Sequence, residues 1–183
     1  SPSTVDTIDF ITIASTANGV DFGNLTTARR LADAASSPTR ALFAGGLTPS
    51  SSNIIDFITI GTTGNAQDFG DLSLAKYSAG VTSSPTRAII MGGYASPTAL
   101  NTIEYVNIAT LGNAMNFGDL TETIYHTQAV SDSIRAVRMG GVTPLDDSMD
   151  YIQISTEGNA IDFGDLTATH KEGAGLSNAH GGL

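Results

Sequence analysis

Acidic side chains recur through this chain at fixed distances from a phenylalanine, and evenly spaced carboxylates are what a cation site would be built from. Asp21, Asp68, Asn116 and Asp162 immediately precede Phe22, Phe69, Phe117 and Phe163, while Asn24, Asp71, Asp119 and Asp165 stand two residues behind them. Oxygen donors of this kind can hold calcium, which makes Asp21, Asp68, Asp71, Asp119, Asp162 and Asp165 the candidate ligands. The same side chains also close turns by accepting from nearby backbone N–H groups. That is the expected role, and no cofactor is required. A second acidic set, Asp9, Asp56, Glu104 and Asp150, lies inside apolar stretches, and Arg40, Arg87 and Arg135 recur at matching phase. Because a buried charge needs a partner, these are expected to form carboxylate–guanidinium pairs between strands. No copy departs from the others as a catalytic copy would. His126, His170 and His180 lack metal-ligand spacing, and no serine sits in a Gly-x-Ser-x-Gly elbow. The chain reads as a non-enzyme.

Binding chemistry is better sought where the copies differ. The loops after each Gly-Gly pair (47–53, 94–100 and 142–148) vary in length and content, and Arg30, Tyr77, Tyr125 and Lys171 are unlike residues at equivalent positions. Loops on one face of a repeat scaffold are the usual seat of specificity. Tyr94, Tyr77, Tyr125 and Arg30 are therefore the ligand-binding candidates. Free drift of unconstrained loops would leave the same pattern.

The elements that must carry these residues are repeats. A first aromatic falls at Phe10, Phe57, Tyr105 and Tyr151, and a second follows twelve residues later in every copy. Gly45-Gly46, Gly92-Gly93 and Gly140-Gly141 lie 23 residues beyond the second aromatic, and the period is 46 to 48 residues. A period of that length indicates a unit of about four strands. Residues 8–13, 55–60, 103–108 and 149–154 are rich in β-branched and aromatic types, with apolar residues in both alternation phases. They predict strands covered on both faces. Asn18-Gly19, Gly64-Asn65, Gly112-Asn113 and Gly158-Asn159 predict tight hairpin turns. Further strands are predicted near 28–35 and 75–81, then over 40–44, 87–91 and 135–139. No helical periodicity is sustained, so the class is all-β. The repeats run approximately 1–46, 47–93, 94–141 and 142–183, the last shortened. The first two strands lack partners, which the tail 173–183 would supply if the ends met; otherwise the copies belong to a longer array or a shared ring.

Bulk composition narrows the partners. Eighteen acidic residues against 8 basic ones give a net charge of -10, with the basic residues scattered. Such a surface is a poor match for phosphates or anionic lipid. Nucleic acid and membrane insertion are excluded from the expectations, and no apolar run has the length of a span. There is no cysteine, so thiolate chemistry is excluded.

Gly-Gly, a variable loop, Asn101-Thr102-Ile103-Glu104-Tyr105-Val106, an aromatic twelve residues on, and Ala28-Arg29 together resemble the kelch-type β-propeller repeat. Phe stands where that repeat carries Trp. The phrases Gly-Asn-Ala-x-Asp-Phe-Gly-Asp-Leu-Thr and Ser-Ser-Pro-Thr-Arg-Ala resemble the kelch-like repeats of marine bacteriophage structural proteins. The resemblance implies a β-propeller, either a closed four-bladed ring or part of a larger one. It also implies a structural and attachment module on a virion or extracellular surface, binding other virion or cell-surface proteins or a host glycan. A homo-oligomer is the expected assembly. The alternative is a general kelch-like protein-interaction domain of a cellular or secreted protein.

Overall fold

The protein is described by a computed structural model covering residues 3–177. The second half of the expected closing tail (178–183), His180 included, lies outside the described residues. Fifteen strands form four antiparallel sheets, and there is no helix among the described residues. The first sheet is a hairpin of β1 (Val5–Phe10) and β2 (Val20–Arg29). The second runs β3 (Asp33–Ser36), β4 (Arg40–Ala44), β5 (Ile54–Thr59), β6 (Gln67–Asp71). In the third, β7 (Gly80–Ser83), β8 (Arg87–Met91), β10 (Thr98–Asn107) and β11 (Met115–Ile124) lie in that order, with the short β9 (Tyr94–Ala95) folded back on β10. The fourth is β12 (Gln128–Ser131), β13 (Arg135–Val142), β14 (Leu145–Gln153) and β15 (Ile161–Asp165). Each four-stranded sheet therefore straddles a boundary between sequence repeats, joining the end of one copy to the start of the next.

The inner strands are shorter than the sequence implies. Residues 28–35 and 75–81 do not run on as single strands, because Leu31 and Ser78 take left-handed backbone (φ 56° and 53°) and break the extension. The central strands behave as their patterning dictates. In β5, Ile55, Asp56, Phe57 and Ile58 are all buried, so both faces are covered. The twelve-residue spacing of aromatics has a direct cause: antiparallel pairing brings the two rings edge to face. Phe57–Phe69, Tyr105–Phe117 and Tyr151–Phe163 have centroid separations of 5.9, 5.8 and 6.0 Å.

Neighbouring sheets pack through the second aromatic. Phe22 packs with Ile58 and Ala66, Phe69 clusters with Val106 and Ile108, and Phe117 with Ile152 and Ile154. Phe163 is half exposed, at 50%. It differs from Phe22, Phe69 and Phe117, which are buried, because no sheet follows it among the described residues.

The Gly-Asn segments are not tight hairpin turns. They sit in long β-connections and clasp the preceding sheet. Gly64 N–H donates to Phe22 O (2.8 Å), Asn24 N–H donates to Asn65 Oδ1 (3.0 Å), and Ala66 N–H donates to Asn24 O (2.8 Å). The set recurs with Gly112, Asn113 and Ala114 on Phe69 and Asp71, and with Gly158, Asn159 and Ala160 on Phe117 and Asp119. The approach is so close that a Cβ on Gly70 would stand 2.5 Å from Gly112 O, and one on Gly118 2.2 Å from Gly158 O. Only glycine can follow the second aromatic at these joints.

Strand β7 lies between β3 and β12 and packs against both. Together with residues 175–177 they line a cavity of about 380 Å³. Hydroxyls tie these strands: Ser83 Oγ donates to Ser36 O at 2.7 Å, and Ser131 Oγ to Ser83 O at 2.6 Å. At the other end, Leu31, Ser78, His126 and Glu172 occupy equivalent positions and share left-handed backbone. Ser78 N–H donates to Leu31 O, His126 N–H to Ser78 O, and Glu172 N–H to His126 O (3.1, 2.9 and 3.2 Å). All four line a second, smaller cavity.

Candidate functional site

Three of the four carboxylates in the apolar strands are buried in ion pairs, with partners other than those expected, while Asp9 is exposed. Asp56 meets Arg29 at 2.8 Å, Glu104 meets Lys76 at 2.6 Å, and Asp150 meets Arg138 at 2.5 Å. Arg40, Arg87 and Arg135 lie instead over Phe57, Tyr105 and Tyr151, 4.5–4.9 Å from the ring centroids. Strand alternation explains the correction. Arg40 faces Thr59 across the ladder, so it shares a face with Phe57, whereas Asp56 points the other way. Arg40 and Arg87 also donate to Ile108 O and Ile154 O of the following sheet, at 2.8 and 2.9 Å.

The third pair shows a compensating exchange. Position 124 is Ile where Arg29 and Lys76 stand in earlier copies, and Arg138 occupies the place of Phe43 and Ile90. The cation has moved to the neighbouring strand while the carboxylate stayed. A reader of the sequence could have found this from the paired departure at 124 and 138. Burial raises the Glu104 carboxyl, but the Lys76 ammonium and the Ser73 donors outweigh it and hold the group below its ordinary value. Burial pulls Lys76 down against the same partner.

The calcium candidates do not converge. Asp21, Asp68, Asp162 and Asp165 are exposed, Asp71 and Asp119 half-buried, and no three acidic or histidine side chains come together among the described residues. Asp162 Oδ1 accepts from Gly164 N–H at 3.2 Å, as a turn-closing side chain does.

The tyrosines, by contrast, are brought together. Tyr77 and Tyr94 exchange backbone hydrogen bonds, and their rings lie 5.5 Å apart. Tyr94 sits 4.9 Å from Tyr125, which sits 4.9 Å from His126. Four rings thus form one row across two repeats, and all four residues are half-buried. The fold makes the row because β9 turns Tyr94 back between the equivalent positions of two sheets. Tyr125 is bridged to Val142 and Arg30 to Leu47 in the same way. Arg30 therefore holds the matching position in its own copy, but no ring contact joins it to the row.

Beside the row is a cavity of about 220 Å³, lined among others by Leu31, Asp33, His126 and Glu172. His126 Nδ1 lies 3.6 Å from Glu172 Oε1. Asp33 is exposed, yet the surrounding protein desolvates its carboxyl enough to raise it above the ordinary value, opposed by the N–H groups of Ala34 and Val81. Aromatic faces flanked by carboxylates and an imidazole can stack on apolar ring faces while accepting from hydroxyl groups. No nucleophile with an activating base is among them. Lys171, the fourth residue at this repeat position, is exposed. No protein-family model matches the chain, and no curated protein is similar to it.

Proposed function

We propose that this chain is a non-enzymatic attachment module built on a β-propeller-type scaffold, with the Tyr77–Tyr94–Tyr125–His126 row as its contact surface. The row carries the proposal: three tyrosines and a histidine from two successive repeats lie side by side, beside a small cavity lined in part by carboxylates. That combination fits a glycan, whose C–H faces stack on aromatic rings while its hydroxyls donate to Asp33 and Glu172. The radial reading of the scaffold is supported by the four equivalent residues around one cavity and by the three identical clasps between successive sheets. A net charge of -10 suits a module that works outside the reach of nucleic acid. A virion surface, with a host-cell glycan or another virion chain as partner, is the setting that the repeat wording suggests.

The test is a glycan array followed by titration. Wild type should select a carbohydrate class, and Tyr94→Ala should lose at least tenfold in affinity with the fold intact by circular dichroism. Binding that survives Tyr94→Ala and Tyr125→Ala would remove the row as the contact surface. Capture of a host protein stripped of glycans would favour the protein-interaction alternative.

A further inference from the structure

The chain has 8 basic residues, and most are engaged within the fold. Arg29, Lys76 and Arg138 meet the buried carboxylates Asp56, Glu104 and Asp150. Arg40, Arg87 and Arg135 lie over the first aromatics of their sheets. Two remain, Arg30 and Lys171, and among the described residues neither side chain has an ion pair, a hydrogen bond or a ring contact. Residues 1–2 and 178–183 contain no Asp or Glu, so the rest of the sequence supplies no carboxylate side chain for them either. Both stand at one repeat position. Arg30, Tyr77, Tyr125 and Lys171 each fall eight residues after the second aromatic of their copy. Each immediately precedes one of the left-handed residues Leu31, Ser78, His126 and Glu172, and those four line the cavity of about 220 Å³. The surroundings of that cavity are therefore divided by chemistry, with tyrosines at the second and third positions and unpartnered cations at the first and fourth. The end of the described chain leads away from it: Gly173 lies against Gln128, Gly175 against Val130, and residues 175–177 line the other cavity.

We propose that the glycan met by the tyrosine row is an anionic one, a sugar chain bearing carboxylate or sulfate groups, and that Arg30 and Lys171 pair with that charge. The assignment rests on the row being a glycan contact and adds the class of glycan. Arg30 is half-buried, and its planar guanidinium presents parallel N–H donors that match the paired oxygens of a carboxylate or sulfate. Lys171 is exposed and adds a point charge on a flexible stem. Rings stack on the apolar faces of the sugar units, while the cations fix which way the chain lies, an orientation that stacking alone does not supply. Asp33 and Glu172 line the same cavity. They oppose an anion seated inside it and so favour one held at the rim, with ligand hydroxyls donating inward. The net charge of -10 repels an anionic ligand at long range, but that repulsion is largely screened beyond about 8 Å at physiological salt. The contact with Arg30 and Lys171 is local and survives it.

The experiment places the full chain on an array of sialylated, uronate-containing, sulfated and neutral glycans. Each anionic glycan that binds is then titrated by calorimetry beside its carboxyl-reduced or desulfated counterpart. Expected is a preference of about tenfold or more for the anionic member of a pair. Arg30→Ala should shrink that ratio, and Arg30→Ala combined with Lys171→Ala should bring it close to one, with the fold intact by circular dichroism. The pair that shows the preference identifies carboxylate or sulfate as the charge. Equal affinity for the two members of every pair, selection of neutral glycans alone, or a preference that survives the double substitution would overturn the proposal. Neutral binding that Tyr94→Ala weakens would then leave the row standing as a glycan contact. No binding to any glycan on the array would overturn both.

Discussion

Replacing Gly70 by alanine tests the clasp between successive sheets, and Gly164 is a control supplied by the chain itself. Both glycines follow the second aromatic and take positive φ, 146° and 127° respectively. An alanine at either position costs about 1–3 kcal/mol in backbone strain. They differ in surroundings. The added Cβ at Gly70 would stand 2.5 Å from Gly112 O, and nothing lies within 4 Å of one at Gly164. Relieving the first clash means withdrawing the Gly112–Ala114 loop and with it three hydrogen bonds: Gly112 N–H to Phe69 O, Asp71 N–H to Asn113 Oδ1, and Ala114 N–H to Asp71 O. At about 0.5–1.5 kcal/mol each, that is roughly 2–4 kcal/mol more. Gly70→Ala should therefore lose about 3–7 kcal/mol and Gly164→Ala about 1–3. Urea unfolding followed by circular dichroism measures both, with hydrogen exchange to detect any sheet that opens separately. Equal losses at the two positions would refute the clasp, since the strain common to both would then account for everything.

The same asymmetry should appear in the aromatics: Phe69→Ala is expected to cost about 3–5 kcal/mol, and half-exposed Phe163→Ala less than about 1.5, by the same urea titration. Glu104 makes stability depend on pH. Its folded value lies below the ordinary 4.5, so the stabilisation is present above that pH and is lost as pH falls through the folded value. Glu104→Gln should abolish that part of the acid loss while leaving Lys76 buried without a counter-charge, at a cost of about 3–5 kcal/mol at neutral pH, measured by urea unfolding from pH 3 to 7. Arg138→Met should destabilise by a similar amount, about 3–5 kcal/mol, and Arg138→Met with Asp150→Leu by less than the sum of the two single changes.

Much of the architecture is legible in the sequence because period-2 patterning and Gly-Gly punctuation act locally. The strands 40–44 and 87–91 begin and end where Arg and Gly-Gly mark them, and the twelve-residue interval translates into edge-to-face ring pairs. What escaped depends on distance. The Gly-Asn segments look like turns because their chemistry is turn chemistry, yet their hydrogen bonds go to a strand about 40 residues earlier. The partner of Asp56 could not be read from phase alone, since the guanidinium that meets it comes from β2 of the neighbouring sheet rather than from β4. Tyr94, Tyr77 and Tyr125 were distinguishable as unlike residues, but their assembly into one row needs β9 to fold back, and a two-residue strand leaves no pattern. His126 joins them through its place beside Tyr125, a role that metal-ligand spacing could not disclose.

Convergence of the repeats on one axis is tested most directly by pairwise spin-label distances at Leu31, Ser78, His126 and Glu172, each replaced by cysteine in a chain that has none. The account predicts that Leu31 to Glu172 is comparable with Leu31 to Ser78, because all four positions surround a single cavity. A Leu31 to Glu172 distance about three times that of Leu31 to Ser78, as in a linear stack of repeats, would contradict it.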